Sequence, residues 1–289
     1  MTHNVWTPQD QRLSHRNRDW LHMLLAGASL FVVATIVMFL TSNPNLYPTV
    51  ILVGNFLVPV VFVLFLYDHQ HLSALTPATI AQSFVVGGML GVLGASVLEP
   101  LLISLPTNPD RSLTLSAAVV AGLIEEGCKI LAVMWVARRM RRDSEMDGLL
   151  LGAAAGMGFA ALESTGYAFT TFVASRGQVG VSIVETILRG MLAPFGHGVW
   201  TAILAAVLFR RSAANHFRIT GSVVLTYLFV ALLHGLWDGL PRVLYIVIPP
   251  GIPISVVTLT LSAVGIIVLV VLYRQADRRQ MMPPASLEP

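Results

Sequence analysis

Glu125 and Glu126, with Lys129 one helical turn further on, stand inside an apolar run, and Lys129 is the only lysine of the chain. Two adjacent carboxylates cannot both carry charge cheaply away from water. A carboxylate held that way is a candidate general base for water, and a neighbouring ammonium can balance its partner. The spacing recurs further along the chain. Glu163 and Tyr167, His197 and Thr201, and His234 and Asp238 are each four residues apart, which puts both members of a pair on one face of a helix. Histidines on facing helices can orient that water, donate to a leaving amine or stabilise an oxyanion. Two histidines with several carboxylates could also hold zinc with an open coordination position, the candidate ligands being Glu163, His197, His234 and Asp238. The histidines lie on separate runs, so spacing leaves the metal question open. The chain has no Gly-x-Ser-x-Gly elbow, no Gly-x-Gly-Asp signature and no His-Glu-x-x-His. Water activation is therefore the hydrolytic route open to it.

The elements that must position these residues are membrane spans. Hydrophobic residues make up 55% of the 289-residue chain and charged residues 11%, against roughly 25% charged in a soluble domain. A bilayer crossing takes about 20 apolar residues. About eight such runs are present: 21–41, 47–67, 77–105, 112–137, 147–173, 182–209, 219–246 and 252–273. The first is expected to be a retained helix and not a cleaved signal peptide. The expected fold is an all-α polytopic bundle. It comprises an N-terminal tail (1–20), accessory helices (21–111), a four-helix core carrying the polar pairs (112–246), a last helix (247–273) and a C-terminal tail (274–289).

The arginines set the orientation. Thirteen lie in the N-terminal tail, in the loops after the fourth and sixth runs and in the C-terminal tail; Arg111, Arg176 and Arg242 alone fall on the other side. The positive-inside rule then puts both termini in the cytoplasm of a cell-membrane protein. It also explains the basic pI without nucleic acid, since the arginines sit in short blocks between apolar runs. At 1.5 Å per residue, Glu125, Glu163, His197 and His234 fall at one level, slightly beyond the bilayer middle. An ionisable side chain at the centre of a span costs roughly 2.5–3.5 kcal/mol on insertion scales, so packing alone does not account for several of them.

Each feature also has a structural reading. The Glu125/Glu126/Lys129 group could be an ion pair, although one lysine leaves a second glutamate unbalanced. A single intramembrane histidine is often an interhelical hydrogen-bonding group. Glu185/Arg189 reads as a structural pair near the outer surface, and Glu99 also lies near an outer end, where water is close. Trp200 and Trp237 read as pocket wall, and Gly148-x-x-x-Gly152-x-x-x-Gly156 as a packing stripe. Pro194 is placed to kink the sixth run.

At these residues a resemblance becomes specific. Glu125-Glu126-Gly127-Cys128-Lys129 resembles the EExxK motif of the PrsW family of intramembrane proteases, relatives of the CAAX prenyl endopeptidases and bacteriocin-immunity membrane proteins. Gly158-Phe159-Ala160-Ala161-Leu162-Glu163-Ser164-Thr165-Gly166-Tyr167 resembles its second motif, GFAxxENxxY, with Ser164 where the family has Asn. Gly196-His197-Gly198-Val199-Trp200-Thr201 resembles the third. His234-Gly235-Leu236-Trp237-Asp238 resembles the fourth, with Asp238 where CAAX relatives have Asn. The resemblance covers roughly 115–245. It implies that Glu125 and Glu126 activate water, that Glu163, His197 and His234 complete the site, and that Lys129, Tyr167, Thr201 and Asp238 support it. It also implies a membrane-anchored protein substrate of the anti-sigma-factor kind. Two other readings use the same residues: a proton- or metal-coupled transporter, with ionisable groups at the midplane, and a non-catalytic scaffold or immunity-type protein.

Overall fold

A computed structural model describes residues 18–69, 73, 75–103, 113–240, 245–248 and 252–281. It is a bundle of nine helices among the described residues: α1 (Asp19–Thr41), α2 (Tyr47–His69), α3 (Pro77–Leu102), α4 (Leu115–Val136), α5 (Glu145–Ala174), α6 (Val179–Leu192), α7 (His197–Arg211), α8 (Gly221–Gly239) and α9 (Val256–Met281). A two-stranded antiparallel ribbon, β1 (Tyr245–Ile248) and β2 (Ile252–Ser255), precedes α9. The all-α polytopic bundle expected from the sequence is what forms. The arginines at 12, 16, 111 and 242, the turn at 106–109 and the C-terminal segment 282–289 lie outside the described residues.

Seven helical segments are long and apolar enough to cross a membrane, with α6 and α7 together forming one of them, Val179–Arg211. α4 has 22 residues, about 33 Å at 1.5 Å per residue, long enough for a further crossing. Its three internal charges are what keep it from passing as apolar. The local signals are conventional. The hydroxyls of Thr76, Thr114 and Ser144 cap α3, α4 and α5 by accepting from backbone N–H groups three residues on, which satisfies donors that lipid could not.

Two expectations about span boundaries change. The sixth run is not one helix: a 3₁₀ turn at Ala193–Phe195 separates α6 from α7, because Pro194 cannot donate to the ladder and Gly196 leaves the helical region with φ −97°, ψ −88°. The seventh run stops at Gly239, and the last helix begins at Val256 and not at 252. The β-branched residues Ile246, Val247 and Ile248 pair instead with Ile254, Pro253 and Ile252, as such residues favour.

α5 and α7 form the buried centre of the molecule, while α1, α3 and α9 turn most of their apolar side chains outward. The glycine stripe of α5 is the reason α7 can lie so close. A Cβ built at Gly148, Gly152 or Gly156 would come 2.5, 2.4 or 2.3 Å from the carbonyl oxygens of Ala205, Thr201 and His197. Those three carbonyls are spaced by four along α7, so the two helices run backbone against backbone for two turns. α4 and α8 meet the same way, a Cβ at Gly235 falling 2.5 Å from Val119 Cα and one at Gly122 2.5 Å from Ala231 O. Both contacts lie beside residues of the polar pairs. At the other end of α5, Arg279 Nη1 donates to Glu145 Oε2 at 2.7 Å and ties α9 to the bundle.

A side chain at the α5–α7 contact must push the helices apart. Gly152→Val should cost about 1–3 kcal/mol or more of stability, read from unfolding in detergent. Gly166→Ala, at an α5 position with nothing within 4 Å of the added Cβ, should gain about 0.5–1 kcal/mol. Equal effects at the two sites would show that the close approach does not govern stability.

Candidate active site

α4, α5, α7 and α8 bring Glu125, Glu126, Lys129, Glu163, His197 and His234 into one cluster. Lys129 is its centre. The ammonium, fully buried, lies 3.1 Å from Glu125 Oε2, 2.9 Å from Glu126 Oε1 and 3.0 Å from His197 Nδ1. It also sits 3.7 Å from the centroid of the Phe159 ring. Glu126 is satisfied on every side. Its Oε1 meets Lys129 and His234 Nδ1, the latter at 3.2 Å, and its Oε2 accepts from Thr201 Oγ1 at 2.9 Å.

These contacts fix the imidazole protons. An ammonium only donates, so His197 Nδ1 accepts from Lys129, and the ring proton sits on Nε2, 3.2 Å from Glu163 Oε2. For His234 the roles reverse. Nδ1 faces a carboxylate and donates to it, and the buried Nε2 makes no close hydrogen bond. That nitrogen is 3.4 Å from Glu125 Oε2 and 3.3 Å from Asp238 Oδ2. Each histidine thus has one nitrogen held by a carboxylate and the other turned toward Glu125.

Glu125, His197 and His234 each offer one ligand atom, all within 4.8 Å of one another. The donor set of two imidazoles and one carboxylate suits zinc, and a carboxylate on the far nitrogen of each histidine is the outer support such ligands carry. Nε2 of His234, between the Glu125 and Asp238 carboxylates, becomes a metal ligand once it carries no proton. His197 Nδ1 would have to give up Lys129, whose ammonium would retain Glu126. On that donor set the residues fit a zinc ion. Glu163 and Asp238, expected among the ligands, lie outside this group of three. Glu163 backs His197, and Asp238 stands beside His234 at the more open end of the site.

The supporting residues divide. Thr201 contacts Glu126 directly. Tyr167 is 48% exposed and does not reach the centre; its ring packs 3.8 Å from the Arg189 guanidinium carbon. Trp200 is buried against both imidazoles, with ring centroids 5.7 Å from His197 and 4.9 Å from His234, and Trp237 packs on Trp200, so both form wall.

Arg189 is the residue that the sequence reading placed wrongly. Its Nη2 donates to Glu163 Oε2 at 2.6 Å, so its partner is Glu163 and not Glu185 on its own helix. Depth counting could have found this. Glu163 lies eleven residues before the end of α5 and Arg189 ten after the start of α6, and residues equidistant from a tight antiparallel turn meet. Glu99 of α3, a helix expected to be accessory, lies close enough to Glu125 to interact with it. Nothing in its local sequence pointed there.

Fold and site together define a multi-pass membrane protein with a buried carboxylate–imidazole centre between its spans, the arrangement of an intramembrane protease. Residues 76–274, from α3 into α9, match the PrsW family of intramembrane metalloproteases, and the chain belongs to that family. Comparison with curated proteins and with solved structures gave no match.

Removing one partner of a buried ion pair leaves the other uncompensated. Lys129→Met should therefore cost about 3–5 kcal/mol, and Thr201→Val about 1.5–3 kcal/mol for one hydrogen bond to a charged group. Both are measurable by unfolding in detergent. A loss below about 1 kcal/mol for Lys129→Met would mean that the ammonium does not hold the cluster together.

Proposed function

We propose that the chain hydrolyses a peptide bond of a membrane-embedded protein with water activated at Glu125, His197 and His234. The observation that carries this reading is the convergence of one carboxylate and two imidazoles, each imidazole held by a second carboxylate, at a buried point between spans. Water bound there has the scissile carbonyl carbon within reach. As its oxygen attacks, Glu125 takes its proton and passes it to the leaving amine, and the carbon–nitrogen bond breaks. Glu126, fully engaged with Lys129, Thr201 and His234, holds His234 in place. Glu163 does the same for His197. A zinc ion held by Glu125, His197 and His234 would supply an acidified water and a Lewis acid for the carbonyl, and would take over from Glu125 the activation of the water.

The arginine distribution supports cytoplasmic termini in the cell membrane, with the site displaced toward the outer face. The substrate we propose is a membrane-anchored regulator of the anti-sigma-factor kind. A transporter reading gains nothing from the packing. On the proposed cytoplasmic side of the site, α5 and α7 close over Leu150, Leu151, Leu204 and Leu208, all buried.

The test is the appearance of new protein N-termini in a membrane fraction incubated with the purified chain in proteoliposomes. Glu125→Gln and His234→Gln should each reduce their rate at least about 10³-fold, with the chain still folded. Treatment with 1,10-phenanthroline should abolish cleavage and added Zn²⁺ restore it. Cleavage that survives in both variants removes this mechanism. Cleavage that survives the chelator but not the variants assigns the reaction to the carboxylate and imidazoles alone.

A further inference from the structure

We propose that Arg189 is a positioning residue: by fixing one oxygen of Glu163 it sets the plane of the His197 imidazole, and so aims Nδ1 at the centre of the site. The inference rests on the hydrolase reading of that centre. A single oxygen, Glu163 Oε2, receives both groups, Arg189 Nη2 at 2.6 Å and His197 Nε2 at 3.2 Å. The guanidinium is itself immobilised by the Tyr167 ring, 3.8 Å from its central carbon. A planar fork stacked on an aromatic face holds a carboxylate in one orientation, which a flexible ammonium does not.

A simple staple between α5 and α6 is the competing account, and the structure supplies that staple elsewhere. Ser182 Oγ donates to Ala168 O at 2.6 Å and lies 2.7 Å from Tyr47 Oη. A Cβ at Gly190 would fall 2.6 Å from Gly54 O, so α6 is also seated against α2. Docking therefore does not need Arg189. The guanidinium keeps a buried Nε without a partner, which a residue serving only as a staple would have no reason to retain. Its geometric consequence lies one step further on, at His197. The break at Ala193–Phe195 lets α6 and α7 take independent directions, so that Arg189 and His197 meet the same carboxylate from two sides.

The test is carbethoxylation of His197 by diethyl pyrocarbonate on the full chain in detergent, mapped by mass spectrometry. The exposed His216 serves as internal reference. In the native chain both ring nitrogens of His197 are covered, so modification should be slow. Arg189→Gln should speed it at least about fivefold, and Glu163→Gln by a similar factor. The double variant should be no faster than Glu163→Gln alone, because Arg189 acts only through that carboxylate. Wild-type protection in Arg189→Gln, or effects of the two variants that multiply, would overturn the proposal. So would a lowered melting temperature with His197 still covered, the signature of a staple. If Arg189→Gln fails to fold, Arg189→Lys keeps a cation without the fork. Intermediate acceleration is then expected, and unchanged reactivity overturns the proposal. The readout needs neither substrate nor metal, so failure of the hydrolase reading would show separately, in the N-terminus assay.

Discussion

The structure is organised around one buried ammonium. Lys129 carries a full charge to a level where no water competes for it, and it touches Glu125, Glu126 and His197 within 3.1 Å. At an effective dielectric constant of about 20, each ion pair at this distance gains roughly 5 kcal/mol of attraction, which must offset several kcal/mol of lost hydration per ion. Two carboxylates around one ammonium leave an excess of negative charge. The Thr201 hydroxyl and His234 Nδ1 donate to Glu126 and spread part of that excess. Remove that centre and there is no reason for four helices to bring their polar faces together.

Such a centre demands helices packed more tightly than large side chains permit. Lipid is as apolar as the helices, so hydrophobic burial does not drive them together, and close van der Waals packing has to. The glycines of α5 meet this demand where it matters most. Gly152 and Gly156 lie against the carbonyls of Thr201 and His197, the two residues by which α7 enters the site. The α4–α8 contact at Gly122 and Gly235 does the same for His234. Packing residues and chemical residues are thus interleaved on the same helices, one face making the contact and the next presenting the side chain.

This interleaving explains how much was legible in sequence. Period-four polar pairs in apolar runs pointed to the four helices and to five of the clustered side chains, because burying a charge in a span is too unfavourable to happen idly. The spans and the glycine stripe were readable for the same energetic reason. The limit was set by interactions between helices. Arg189 has an acid four residues earlier, and local spacing favours that pair; the actual partner sits on α5, where Glu163 lacks any other cation. Glu99 reaches Glu125 only because α3 packs along both α4 and α5. The division of the metal candidates was out of reach for the same reason: which nitrogen of each histidine is free depends on whether Lys129, Glu126 or Glu163 takes the other.

Exposure is graded across the cluster, and the gradient bears on how water and substrate reach it. Side-chain exposure rises from zero at Lys129 and Glu126 to 7% at Glu125, 18% at Glu163, 22% at Arg189 and 31% at Asp238. The open end is formed by the C-terminal ends of α5 and α8 with α6, and the closed end by the leucines of α5 and α7. A pore needs access from two sides. A hydrolase needs one, provided the reacting groups lie at the inner edge of the wet region, where water arrives but bulk dielectric does not follow. Glu125 has the intermediate exposure such an edge requires: its neighbour Glu126 is sealed, while Glu163 and Asp238 are more exposed. On the mechanism proposed here, the position of a single carboxylate on this gradient separates the group that exchanges a proton with incoming water from those that hold the histidines still.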